Sequence, residues 1–260
     1  FTDFLGEADS IRHCLHLAQR AAAQDFPVFL VGESGTGKEV LAQAIHNASS
    51  RRRGPFVPVN CGVAHDELLA AELFGYVAGA FTGAAKGGQV GKIELADGGT
   101  LFLDEVEAMS PKMQVSLLRV LEEKRLARLG AEQPTALDVR IIAASNEDLH
   151  ETVAQKRFRL DLYHRLVVFP IVLPPLRERR EDIPLLVRHF LEQLGFGDRR
   201  LSEQALSTLK AYSWPGNVRE LQNVIEGAVV LGTTDVILLE DLPERILDVR
   251  PATVTAAPTP

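Results

Sequence analysis

Three short stretches carry residue types and spacings suited to phosphate chemistry. Gly32 to Glu39 reads GESGTGKE, the spacing G-x-x-x-x-G-K of a phosphate-binding loop. Gly32, Gly35 and Gly37 accept backbone dihedrals closed to other residues. The N–H groups along Glu33, Ser34, Thr36, Lys38 and Glu39 can then turn inward around a polyphosphate. The positive end of a following helix strengthens that field, and Lys38 reaches the terminal phosphates as a point charge. In the second stretch, Thr100-Leu101-Phe102-Leu103 runs into Asp104 and Glu105. Asp104 suits magnesium, directly or through water. Glu105 suits orienting or deprotonating an attacking water, because phosphoryl transfer needs positioning more than covalent chemistry. Carboxylates also favour helix N-termini, so this pair draws its weight from Lys38. In the third stretch, Asn146 follows an apolar run. An amide there either caps the next helix or senses a γ-phosphate. One position departs from the general motif: Glu39 stands where Ser or Thr holds magnesium, which by itself weighs against hydrolysis.

The surrounding pattern sets these groups on elements. Pro27 to Val31 is apolar and precedes the glycine loop, while Val40 to Ile45 follows it with helical spacing. Short apolar runs at Phe56–Asn60, Thr100–Asp104, Leu137–Ala144 and Val167–Leu173 add four strands. Helical patterns lie between them at Ala8–Ala23, Asp66–Phe74, Gly91–Ala96, Lys112–Glu123 and Phe158–Arg165. Arg125–Leu129 and a turn at Gly130–Pro134 read as a hairpin feeding the fourth strand. Such alternation predicts an α/β fold with a parallel sheet flanked by helices. In such sheets ligands bind at the carboxyl ends of the strands, where Asp104 and Glu105 fall. Pro174-Pro175-Leu176 breaks the chain, and the remainder is helical, at Arg180–Leu194, Ser202–Tyr212 and Gly216–Leu231. The expected organisation is a core over 1–173, a small all-helical domain over 174–247 and a linker-like tail over 248–260. Between about 75 and 90 the periodicity stops in a glycine-rich stretch centred on Phe81, which inside a compact domain reads as a functional loop or a flexible one.

Composition narrows the function classes. With 46% hydrophobic and 24% charged residues among 260, the chain is globular in type. A formal charge of −7 gives little electrostatic grip on nucleic acid. Cys14 and Cys61 lack metal spacing and read as reduced thiols of the cytoplasm. No run is long and apolar enough to span a membrane. The basic turn Arg51-Arg52-Arg53 reads as a solvated loop. Arg219 falls in the first turn of the last helix, against the dipole, which points either to a solvated surface or to a role elsewhere. A start at Phe1 and a Pro/Thr/Ala-rich end read as a segment of a longer protein.

The motifs together resemble the central AAA+ domain of the sigma-54-dependent transcriptional activators, over nearly the whole chain. The distinctive stretch is GAFTGA: Gly79, Ala80, Phe81, Thr82, Gly83 and Ala84. GESGTGKE, GGTLFLDE at 98–105, PPLRER at 174–179 and WPGNVREL at 214–221 match as well. That family itself carries Glu after the loop lysine, so the resemblance removes the objection at Glu39. It implies a P-loop AAA+ core with a five-stranded parallel sheet and a helical lid, ATP hydrolysis with Mg2+, and a hexameric or heptameric ring. It implies that Asn60 holds Glu105 back, that Asn146 reads the γ-phosphate, and that Arg159 and Arg165 reach into the neighbouring subunit's site, with Arg165 the favoured finger. It further implies that Arg219 senses the nucleotide from the lid, and that the GAFTGA loop contacts sigma-54 within the RNA polymerase holoenzyme. DNA would be read only by a domain outside this stretch. Other remodelling AAA+ machines and a nucleotide-gated module without hydrolysis are the alternatives. His164 and Ser145, where the family more often has Tyr and Thr, are minor departures.

Overall fold

The computed structural model describes residues 1, 4–62, 65–80, 87–232 and 234–247. It divides into two compact units, one of residues 1–4 and 9–174, the other of 5–8 and 175–260.

The first unit is built on a five-stranded sheet. Its strands are β1 (Val28–Val31), β2 (Phe56–Asn60), β5 (Thr100–Asp104), β8 (Arg140–Ser145) and β9 (Phe169–Val172), in the order β2-β5-β8-β1-β9, all parallel. β8 lies at the centre and is buried along its whole length, as a parallel strand covered on both faces must be. Its small Ala143 sits between Phe29 and Leu103 of the flanking strands and leaves them room. Helices α1 (Asp9–Ala22), α2 (Lys38–Asn47), α3 (Asp66–Phe74), α4 (Lys92–Leu95), α5 (Pro111–Glu123), α6 (Leu149–Ala154) and α7 (Leu160–Leu166) complete this unit. α5 starts where its sequence says it should: Ser110 Oγ accepts from the Met113 N–H at 3.3 Å, and Pro111 takes the first position. Met113, Leu117 and Leu118 then face a core shared with Phe29, Leu101, Leu103 and Leu162.

Several expectations change. The stretch at 75–90 is rooted in regular structure: β3 (Gly75–Tyr76) pairs antiparallel with β4 (Gln89–Val90). Two-residue strands leave no periodicity to read. The hairpin of β6 (Arg125–Leu126) and β7 (Thr135–Ala136) is shorter than expected, and β8 begins only at Arg140. Arg51 is not part of a solvated run. Its guanidinium grips both oxygens of Asp25 at 2.7 Å and Asp138 Oδ1 at 2.6 Å, which clips three loops together. α7 starts at Leu160, so Arg159 precedes the helix in extended conformation rather than lying inside it.

The second unit is helical, with α8 (Ile183–Gln193), α9 (Glu203–Ala211), α10 (Asn217–Leu231) and α11 (Glu244–Leu247). It is not all-helical: β10 (Arg200–Leu201) pairs in parallel with β11 (Val236–Ile237). The WPGN turn carries its packing. Trp214 is fully buried, its Nε1 donates to the Leu209 carbonyl at 2.8 Å, and its ring meets Tyr212 edge-on at 5.1 Å. Asn217, also fully buried, accepts from the Leu176 N–H at 2.8 Å and so ties α10 to the PPLRER stretch. Both Trp214 and Asn217 have positive φ, which a lone turn of this sequence would not hold without that burial. Trp214→Ala should therefore cost about 3–5 kcal/mol of the second unit's stability, read as a lowered denaturation midpoint.

Candidate active site

All the expected phosphate-handling groups of the first unit lie at the carboxyl ends of adjacent strands. The loop leaves β1, Asn146 follows β8, and Asp104 ends β5 beside Asn60 of β2. The edge is bonded across. The Gly32 N–H donates to the Ser145 carbonyl at 3.2 Å, the Leu173 N–H to the Val31 carbonyl at 2.7 Å, and the Cys61 N–H to the Asp104 carbonyl at 2.8 Å.

Within the loop, Gly35 and Gly37 have φ of 78° and 103°, dihedrals that only glycine adopts freely. Gly37 leads directly into α2, whose first residue is Lys38. Lys38 is buried, and its ammonium bonds the Gly32 and Glu33 carbonyls at 2.7 and 3.2 Å. Thr36 Oγ1 donates to the Glu33 carbonyl at 2.8 Å and tightens the turn. The amine is thus held in the concavity that the loop encloses, which is the arrangement that places one positive charge against a polyphosphate.

Glu105 is held in a rare geometry. Its φ and ψ are 55° and 45°, in the left-handed region, at a cost on the order of 1–3 kcal/mol for a residue other than glycine. Its N–H bonds Asp104 Oδ1 at 3.0 Å, and its carbonyl accepts from Ala108 at 3.0 Å, so the turn is fixed from both sides. The Glu105 carboxylate lies over Gly62, so close that a methyl group on Gly62 would collide with Oε2. Asn60 Oδ1 accepts from that same Gly62 N–H at 2.7 Å. Asn60 and Glu105 therefore flank one glycine, the first on its amide and the second on its α-carbon. With one Asp104 oxygen engaged, the other suits a hard cation. Among the described residues no group of three or more His, Cys, Asp or Glu side chains could hold a metal alone. Magnesium here would complete its shell from phosphate and water oxygens, as it commonly does with one or two carboxylates. Burial and the nearby Asp104 carboxylate push the Cys61 thiol well above its ordinary range and keep it unreactive.

Glu107 escaped the sequence reading. It sits two residues past Glu105 in a turn of 3-10 helix at Val106–Ala108. Its Oε1 accepts from the Asn146 N–H at 3.2 Å, and its Oε2 is buried with no partner. The turn carrying Glu105 is thereby joined to the strand tip carrying Asn146. Burial pushes the Glu107 carboxyl above the ordinary carboxylate range, against the Asn146 N–H bond that pulls the other way. The available signal was a second acid within one turn of an Asp-Glu pair, which is too common to single out.

The two arginines occupy opposite ends of α7. Arg159 stands just before it and clasps Asp161 at 3.0 and 2.7 Å; Arg165 lies in its last turn, 3.5 Å from Glu122. Both side chains are about half exposed in the single chain, where such pairs contribute little. Neither belongs to the strand-end cluster of its own chain. Arg219 lies in the first turn of α10, in the second unit. Gly79 and Ala80 lie on the near limb of the glycine-rich insertion, while Phe81, Thr82, Gly83 and Ala84 fall outside the described residues. The root of the insertion is braced: the Val77 N–H donates to the Leu129 carbonyl at 3.1 Å and the Leu129 N–H to the Gly75 carbonyl at 2.9 Å.

A glycine loop between strand and helix, carboxylates on a neighbouring strand of a parallel sheet and a helical second unit define a P-loop ATPase domain of the AAA+ class. Comparison with known proteins specifies it: residues 4–172 match the sigma-54 interaction domain and residues 177–259 the AAA+ ATPase lid domain. The chain belongs to the sigma-54 interaction domain family. It is 48% identical over 246 residues to the transcriptional regulatory protein ZraR of Klebsiella oxytoca, covering 93% of this chain and 55% of that protein. It is 52% identical over 239 residues to a Geobacillus stearothermophilus protein named limonene hydroxylase, covering 89% of this chain but 44% of that protein. Among solved structures, NtrX from Brucella abortus in complex with ATP superposes with a TM-score of 0.85 at 36% identity, covering 94% of this chain and 57% of that one. The chain spans about half the length of these relatives. No helix of the described residues is long and apolar enough to cross a membrane.

The Glu107 environment has a measurable consequence. A carboxyl raised in the fold is penalised as it ionises, so the penalty is absent below its unfolded value and full above its folded one. Glu107→Gln should raise the thermal midpoint at neutral pH and give no such gain at acid pH, where the wild-type carboxyl is already neutral. Thermal melts across that range read the difference.

Proposed function

We propose that this chain is the ATP-hydrolysing motor of a sigma-54-dependent transcriptional activator. The observation that carries the reading is the convergence of Lys38, Asp104, Glu105 and Asn146 on one bonded sheet edge. On this reading the core spans 1–173 and the lid 174–247, and the linker-like tail over 248–260 lies outside the described residues. Gly32 to Glu39 wraps the phosphates of ATP, and Lys38 exchanges its carbonyl partners for phosphate oxygens. Asp104 holds Mg2+, which neutralises charge on the transferring phosphoryl group when bound. Glu105 orients and deprotonates the attacking water, and Asn60, through Gly62, sets when the Glu105 carboxylate may reach it. Asn146 reads the γ-phosphate, and Arg219 reads the nucleotide from the lid.

The same reading gives the two half-exposed arginines their task in a ring of six or seven copies. Arg165, with Arg159 at the other end of α7, enters the adjoining subunit's site, where a planar cation matches the charge of the transferring group. A finger of this kind is worth about 10³–10⁵ in rate. Hydrolysis then moves the insertion at Gly79–Ala84 against sigma-54 and remodels the closed promoter complex of RNA polymerase. The GAFTGA residues are what favour sigma-54 over another remodelling target. DNA is reached through a further domain, consistent with the acidic charge here.

Phe81→Ala tests the division of labour. The variant should release phosphate from ATP at about the wild-type rate and lose sigma-54 binding in the presence of a transition-state analogue. Retained sigma-54 binding would place the contact elsewhere, and no phosphate release from the wild-type protein would remove the motor.

A further inference from the structure

Gln114 lies in the first turns of α5 and is completely buried. Its side chain joins the Met109 turn to the segment Arg157–Arg159, 43 to 45 residues further along the chain from Gln114. Nε2 donates to the Met109 carbonyl at 2.8 Å and to the Arg157 carbonyl at 3.0 Å, while Oε1 accepts from the Arg159 N–H at 2.8 Å. The partners dictate which way the amide points, since carbonyls only accept and an N–H only donates. Each partner matters by position. Met109 closes the turn that begins at Glu105, its N–H bonding the Val106 carbonyl at 3.2 Å. Arg159 is the extended residue that opens α7.

We propose that Gln114 is a positioning residue for hydrolysis: it locks the backbone of Arg159 to the turn that carries Glu105. The arginine offered to a neighbour is thereby held in register with the hydrolytic turn of its own subunit. A second tie runs alongside, from Glu147, next to Asn146, to Arg157 at 2.8 Å, but that ion pair is half exposed and weak. The buried amide is the stiff link. Glutamate keeps the acceptor for the Arg159 N–H and loses both donors; leucine loses all three bonds.

This inference rests on the reading of Arg159 as acting in the adjoining subunit, and the test separates the two. ATP hydrolysis is measured for Gln114→Leu alone and with an excess of Lys38→Ala protein, which cannot turn over yet presents an intact Arg159. Alone, Gln114→Leu should lose about 10²-fold in kcat, the scale set by a small misplacement of a catalytic group, with KM for ATP within about threefold. In the mixture the rate per Gln114→Leu site should recover about tenfold or more, since its missing contribution arrives from the neighbour. Gln114→Glu should fall and recover in the same direction, and it carries the test if the leucine variant does not fold. Absence of recovery, while Arg159→Ala recovers in the same mixture, overturns the role of Gln114 and leaves that of Arg159 standing. An Arg159→Ala protein that is fully active, or that does not recover, overturns both. Failure of both Gln114 variants to fold makes the residue purely structural and also overturns the proposal.

Discussion

Parallel pairing across β2, β5, β8 and β1 is the constraint on which everything else depends. It places four strand ends at one edge and aligns Val31 with Ser145, Leu103 with Ala143 and Asn60 with Asp104. A slip of one residue in any pair would turn its side chains to the opposite face. The Gly32–Ser145 and Cys61–Asp104 bonds lock that alignment just where the strands end. Burial secures it from within. β8 is closed on both faces, and Phe29, Leu101, Leu103 and Ala143 share one core with α5 and α7, so shifting the register would expose apolar surface at about 25 cal/mol per Å².

On this frame, strain and unmet polarity gather beside the phosphate loop. Glu105 is left-handed, Glu107 keeps one buried oxygen unpartnered, and Lys38 is buried against its own loop carbonyls. Elsewhere in the first unit Arg51 is matched against Asp25 and Asp138, while Arg140, at the opposite end of β8, keeps two buried nitrogens unpartnered. Backbone strain persists only where its surroundings over-determine it. Here the Asp104 side chain and the Ala108 N–H do so. A site prepared in this way has its geometry in place before nucleotide arrives, which is how positioning lowers the barrier to phosphoryl transfer.

How much was legible in the sequence follows the range of the interactions. The five sheet strands and most helices of the first unit emerged because their apolar periodicity is local, and the loop because its glycines sit at fixed offsets; α6, only six residues long, did not. The short pairs β3–β4 and β10–β11 are too brief to show a period, and β10–β11 joins residues far apart in the chain, whereas the β6–β7 hairpin was signalled by its turn. Arg159 was placed inside a helix because its neighbours suit one. It stands at the helix N-cap in extended conformation, its N–H taken by Gln114, a contact no local window contains. Glu107 and Gln114 were missed for the same reason: each is defined by what it touches across the fold rather than by its spacing. The arginines and the GAFTGA residues were legible as motif, yet their chemistry lies outside a single chain.

The central claim is that one chain supplies the phosphate loop and carboxylates while its neighbour supplies the arginine. The most direct measurement is the specific rate of phosphate release against protein concentration, with assembly followed in parallel. The account predicts a steep rise through the concentrations at which rings form, then a plateau. A specific rate that stays flat while the protein passes from monomer to ring would contradict it.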